Sequence, residues 1–413
     1  MLHSAPCMTD YLALVDALVR PRLEAMAALD PDGATQLVNE LASSNESFFC
    51  GVPEISQGAL IRKVGCAGAW VWGVGHVHHR SFATLAVGRS DAEGAIPVTF
   101  DLNEAEEEHP CPWRWDLVSL FASVALAKAN QKGSTFAALV SRAVDGYLAT
   151  LTQSADGSEA GNPAPELPPA VQALISQRSG EVASASHLSQ YLSTETDEPR
   201  LRLASGWTRD LSARAFFLPA LSSLYAEAAR ITPIDVIRRD VLGRRQYLAA
   251  IRERPTPRSE RLRLLEIHER PPSALARLLA VQPFAPMAGP AQRLTVALGG
   301  DPYQRLLHGP GMSYSVRTFC HCRQVLDLQR LDDAELHLLS RAWGMALAAF
   351  QVRGLRGMKV DVSTRCREIS AELGEARKDL ARQAWEHAAY LDRAYAAMRQ
   401  IGKHWPDEPT ASR

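Results

Sequence analysis

Residues 70–121, WVWGVGHVHHRSFATLAVGRSDAEGAIPVTFDLNEAEEEHPCPWRWDLVSLF, constrain this chain more than any other stretch. An apolar run ends in the turn Gly73-Val74-Gly75-His76. A second, Ile96 to Leu102, ends in a carboxylate cluster. The segment Trp113-Arg114-Trp115-Asp116-Leu117 then opens an apolar helix. Two strand ends that aim histidines and acids at one place are a common framework for a phosphate or metal site. The fold must therefore bring both ends together beside that helix.

The rest of the composition narrows the class. The 413 residues suffice for two domains or one large two-lobed domain with ample core. A formal net charge of −1 gives no support for nucleic-acid binding or for an anionic membrane surface. Basic runs such as Arg238, Arg239, Arg244 and Arg245 are balanced by acids elsewhere and read as solvated faces. No window approaches the ~20 apolar residues of a membrane span. The N-terminal stretch lacks a basic segment and carries Asp10 and Asp16, so it does not read as a signal peptide. Seven cysteines without framework spacing predict reduced thiols and a cytoplasmic protein.

Periodicity places helices over 9–29 and 34–50, the latter closing at Gly51. Strands are expected at 59–74 and 83–101, and helix over 115–152, where Leu117, Leu120, Phe121 and Val124 form a buried stripe. Residues 153–168 are a Gly/Ser/Ala/Pro linker or loop. Helix dominates 170–232. Strands follow at 234–251 and 262–268, joined by the polar turn RERPTPRSE, then helix at 271–281, a short strand near 313–319 and helix from Asp332 to Met398. The organisation expected is an N-terminal α+β region (1–152), the linker, a second region of helices and strands (169–331), and a helical C-terminal region (332–413). The fold class is α+β.

Several segments, in order, carry a resemblance. VTFDLNEAEEEHPCPWRWDLVSLFASVALA resembles the hallmark Phe-Asp-Leu-Asn…Trp-Asp-Leu segment of a bacterial family known by number, 2252 among the domains of unknown function. Gly73 to His79 resembles its Gly-Asp-x-His-x-x-Asn motif. SNESFFCG, IDVIRRDVLGRRQYLAAI, LRLLEIHERPPSAL, AQRLTVALGGDPYQRLL, MSYSVRTFCHCR and the tyrosine-rich end around Tyr390 and Tyr395 resemble further family segments. The Gly-Asp-x-His-x-x-Asn motif followed by an acidic strand end is also similar to the catalytic and metal loops of aminoglycoside phosphotransferases. That likeness implies a two-lobed, permuted kinase-like fold with ATP and a divalent metal ion as cofactors.

The chain departs from the pattern where chemistry is expected. Val74 replaces the motif Asp and has no oxygen to orient a hydroxyl. His79 replaces the Asn, a ligand better suited to zinc or copper than magnesium. His268 replaces the phosphate-gripping Lys, and Cys50 the Arg of the Phe-Phe-x-Gly segment. VLGRRQ holds one glycine where a phosphate-cradling loop needs several.

What remains defines the candidate residues. The resemblance assigns catalytic places to His76 and His268, a cofactor-binding place to Asn103, and metal-binding places to His79, Asp101, Glu104 and Glu106. The plainer reading of His76, His78 and His79 is a polar turn in which His76 buttresses the loop. For Glu106 to Glu108 it is a solvated acidic turn. Asp116 is expected to cap a helix and Trp115 to fill core. Cys320-His321-Cys322 is half a zinc site, and buried, inert thiols are the simpler reading. No Gly-x-Ser-x-Gly elbow supports hydrolase chemistry. The expectation is a catalytically degenerate kinase-like protein that binds a protein partner or a small ligand. The alternative is an active metal-dependent phosphotransferase with an altered residue set. Neither reading invokes nucleic acid or a membrane.

Overall fold

The computed structural model describes residues 8–28, 30–86, 98–105, 107–128, 133–157, 166–182, 188, 190–193, 199–204, 206–225, 230–241, 244–256, 259–271, 273–279, 301, 303–309, 312–319, 326–358 and 360–405. Two bodies of structure meet at the 70–121 stretch. One is helical, and the other is built on an antiparallel sheet.

The helical body comprises α1 (Met8–Ala27), α2 (Pro31–Ser43), α3 (Asn45–Gly51), α4 (Pro53–Lys63), α5 (Arg114–Ala127), α6 (Gly133–Ala155), α7 (Pro169–Val182), and two long helices that appear here as α10 (Asp333–Gly357) and α11 (Val362–His404). Every residue of α5 from Trp115 to Ala125 is buried. A helix apolar on all sides belongs in the centre, and α5 lies there. Glycine lets α6 and α10 approach closely. A Cβ at Gly344 would strike the Ala143 carbonyl, and one at Gly146 that of Arg341. The long C-terminal helices start on side-chain caps. Asp332 and Glu335 form a capping box, and Asp361 accepts the Thr364 N–H.

Two small ribbons border this core. β1 (Trp70–Gly73) pairs antiparallel with β4 (His109–Pro112), and β2 (Phe82–Ala86) with β3 (Val98–Leu102), Ala83 opposite Asp101. Short strands β5 (Leu192–Ser193), β6 (Arg200–Leu201) and β7 (Thr208–Arg209) and helix α8 (Leu211–Leu224) lead into β8 (Arg230–Val241), β9 (Arg244–Thr256) and β10 (Ser259–Arg270). Helix α9 (Ala274–Leu278) and the hairpin β11 (Arg305–Gly309)–β12 (Met312–Thr318) follow. The six-stranded sheet runs β11-β12-β10-β9-β8-β7. Its period-two pattern fills both faces. Tyr247, Ala249, Ile251, Leu265 and Ile267 pack on Phe217 and Leu221 of α8, while Leu248, Ala250 and Leu264 meet Leu192 and Leu201.

The chain is thus mixed α+β with a long helical C-terminal part, as expected. Details differ. Residues 53–63 are α4, so only the end of the strand expected at 59–74 exists. Ile55, Ala59 and Leu60 instead share a buried helical face. The expected turn RERPTPRSE is mostly strand. β9 continues to Thr256 and β10 begins at Ser259. Cross-strand pairs Arg263–Glu253 (2.7 Å) and Arg252–Glu260 (2.7 Å) account for charged residues in strand positions. The helical expectation for 170–232 is broken by β5, β6 and β7, and β11 was not foreseen. Helix α6 reaches Ala155, inside the expected loop. Cys320, His321 and Cys322 lie outside the described residues.

Candidate functional site

The turn after β1 is held by one carboxylate. The Val74 N–H donates to Asp116 Oδ2 at 2.9 Å and the Gly75 N–H to Oδ1 at 3.0 Å. Gln351 Nε2, from α10, donates to Oδ2 at 2.8 Å, and Tyr147 donates in turn to Gln351 Oε1. Asp116 therefore caps the turn and not its own helix, whose N-cap is Trp113 without a side-chain bond. Its carboxyl is pushed up to about 6 because burial outweighs the three hydrogen bonds. Trp115 is buried, as expected, and donates to the Gly65 carbonyl at 2.8 Å. Gly75 has φ +80°, and a Cβ there would run into the Glu107 carbonyl. The second glycine of the motif is thus what lets the turn touch the acidic loop.

The histidines of the turn have separate partners. His76 Nε2 donates to the Phe49 carbonyl at 2.9 Å, and burial pushes the ring down to about 4, so it is neutral at pH 7. This fits the buttressing role. His78 Nε2 lies 3.7 Å from Glu104 Oε2. His79 packs its backbone N–H on Ser123 Oγ (2.9 Å) and its Nε2 on Glu46 (3.1 Å), and that hydrogen bond holds the Glu46 carboxyl below its usual range. Asp101 faces Arg353 of α10 at 3.3 Å, its carboxyl raised by burial although Arg353 opposes the shift. Asn103 is buried, and neither atom of its amide has a partner. Its backbone carbonyl accepts from Arg317 of β12.

The sheet reaches the same loop through charges. Glu266 of β10 pairs with Arg317, and His268 Nε2 lies 3.3 Å from Glu266. Glu107 Oε1 takes Arg244 of β9 at 2.9 Å, and Oε2 takes the Ala274 N–H at the start of α9 at 2.7 Å. Glu108 takes Arg270 at 3.2 Å and the Trp72 indole at 3.1 Å. Glu107 and Glu108 are 5 % and 8 % exposed, so the solvated acidic turn expected from sequence is instead a buried joint. Sequence reasoning missed their role. The signal was there as arginines at both ends of the β8–β10 strands, but which acid meets which arginine is a tertiary fact.

The turn, the 101–108 loop and β10 therefore meet, but the candidate residues do not share one ligand set. His76, Asp101 and His268 each bind a different partner. The members of the expected metal set have separate neighbours in the structure. His79 is directed to Glu46 and Asp101 to an arginine, and Glu106 lies outside the described residues. Among the described residues no three His, Cys, Asp or Glu converge to hold a metal ion.

The family model of an uncharacterised protein conserved in bacteria, domain of unknown function 2252, matches residues 30–400. The chain belongs to this family. No curated protein and no solved structure matches it. The family match runs through both bodies and through every segment that meets at the site. Among the described residues no helix is long and apolar enough to cross a membrane.

Proposed function

We propose that this family member is a kinase-like protein that has lost phosphoryl transfer and acts by binding a protein partner or a small ligand. The observation that carries the reading is the state of the acids at the meeting point. Asp101, Glu107, Glu108 and Glu266 each face an arginine, and the place of the motif Asp is taken by buried, apolar Val74. A carboxylate already neutralised by a guanidinium is a poor metal ligand, since the cation must displace the arginine. The turn keeps its shape through Asp116 without needing a catalytic acid. We read the sheet and the helical body as the two lobes of a permuted kinase-like fold, with the 103–108 loop as their joint.

The rival reading, an active metal-dependent phosphotransferase, draws on one observation. The buried Asn103 amide has no protein partner and sits at the end of β3. Incubation with ATP and Mg²⁺, Mn²⁺ or Zn²⁺ separates the two readings. The expected result is no phosphoryl transfer to generic acceptors. ATP turnover that Asp101→Ala abolishes would establish the rival. A melting-temperature shift with nucleotide but without turnover would point to a retained ligand, since ligands that bind only the folded state stabilise it. For a protein partner, Trp385 on α11 offers an exposed aromatic ring at 42 %. Tyr390 is buried and Tyr395 half-buried against Phe48.

A further inference from the structure

Behind the turn, three buried polar side chains from three different elements each leave one atom without a partner. His76 uses Nε2 on the Phe49 carbonyl and leaves Nδ1. Gln57 of α4 uses Nε2 on the Gly75 carbonyl at 3.2 Å and leaves Oε1. His387 of α11 sets Nε2 3.0 Å from Ser56 Oγ and leaves Nδ1. Gln57 and Ser56 are wholly buried and His387 is 2 % exposed. Proximity follows from the contacts. Gln57 is tied to the residue next to His76, and His387 is bonded to Ser56, the residue next to Gln57.

The chemistry of the orphan atoms defines what fits. A carbonyl can only accept, so His76 carries its proton on Nε2 and its Nδ1 is an acceptor. Gln57 Oε1 is an acceptor as well. A molecule that satisfies both of these buried acceptors must offer two donors, and an unpaired buried polar atom costs about 1–3 kcal/mol. Among the described residues no carboxylate or thiol completes a metal set here. We propose that His76 Nδ1, Gln57 Oε1 and His387 Nδ1 line one internal site that takes ordered water, and that this water ties α11 to the 74–79 turn. Water donates to both acceptors and still accepts at His387, where Nδ1 then carries the proton and Nε2 accepts from the Ser56 hydroxyl, which matches the usual coordination of internal water.

Ring-nitrogen NMR on the full chain with labelled histidine tests the assignment. The expected spectrum shows His76 as the Nε2–H tautomer, with Nδ1 shifted as a hydrogen-bond acceptor and cross-relaxation from His76 Hε1 to slowly exchanging water. An Nδ1–H tautomer at His76, or no such water signal, overturns the proposal. A second test uses Gln57→Leu, His387→Phe and the double variant. A shared water makes the fall in Tm of the double variant clearly smaller than the sum of the single falls. Strict additivity overturns the bridge. The NMR measurement on the unaltered chain stands even where a variant fails to fold.

Discussion

The turn at 74–79 and the sheet that faces it are held by different forces. The turn is fixed from inside the helical body by neutral donors aimed at one buried carboxylate, with Gln57 and Ser119 taking its carbonyls. The sheet is fixed to the 103–108 loop by ion pairs, Arg244–Glu107 and Arg270–Glu108 among them. Burial explains the division. Asp116 is 1 % exposed and surrounded by core, where a second charge would be costly. The joint is close enough to solvent for guanidiniums to keep one edge wet, Arg244 at 24 % for example. The contrast teaches that the helical body fixes the shape of the site, while the sheet's attachment to it is electrostatic.

The largest test of the first half is Asp116→Ala. It leaves the N–H groups of Val74 and Gly75 and the Gln351 amide without an acceptor. The expected loss is roughly 3 kcal/mol, at about 1–3 kcal/mol for each unpaired buried donor, offset in part by the cost of ionising a buried acid. Urea melts measure it, and a loss below about 1 kcal/mol would remove Asp116 from its central place. Glu107→Ala should come next, at about 2–3 kcal/mol. It strands Arg244 and the first N–H of α9, and the guanidinium keeps some solvent. If the joint is electrostatic, proteolysis between the bodies should quicken in this variant before global unfolding does.

Acid sharpens the comparison further, because buried acid and buried base titrate in opposite senses. Burial pushes His387 down to about 3, against an ordinary value of 6.5. The folded state then refuses a proton that the unfolded chain accepts. This stability is fully present above about pH 6.5 and is lost as pH falls toward the folded value. Between pH 6.5 and 5 the loss is roughly 1.5 kcal/mol, and His387→Gln should escape it. Asp116, raised to about 6 from 3.8, does the reverse, since its folded state gains stability as pH falls through 6 toward 4. The gap in Tm between the natural chain and Asp116→Asn should therefore widen on going from pH 7 to 5. A gap that narrows would reverse the assigned sign.

The smallest expected effect is the control. Arg382 pairs with Asp379 and Glu386 along the exposed side of α11. Such surface pairs contribute little. Arg382→Ala should leave the melting temperature unchanged within error, and a clear drop would mean that surface charge, and not the joint, carries the electrostatic part.

Local chemistry made much of this legible beforehand. The helical region from Asp332, the helix that opens at Trp115, the strand character within 234–251 and 262–268 and the meeting of the turn with the acidic loop are readable because each rests on a short-range pattern of polarity. The family segments also kept their order. Legibility failed where distance in sequence enters. Residues 53–63 carry apolar positions that suit either period, and the packing of α4 against α9 and α11 chooses helix. Glu107 and Glu108 are polar in sequence but are covered by elements more than a hundred residues away, through Arg244 and Arg270.

The sequence by itself determined the α+β class, the family and the residue types at the turn and the acidic loop, because these follow from periodicity and from side-chain chemistry that need no partner. Tertiary structure alone decided what each ionisable group does. Asp116 is a clamp and not a helix cap, His79 lies against Glu46, and Glu107 and Glu108 of the loop meet arginines. The physical reason is that burial and the choice of counter-charge set the state of a carboxylate or an imidazole, and both are properties of the packed chain.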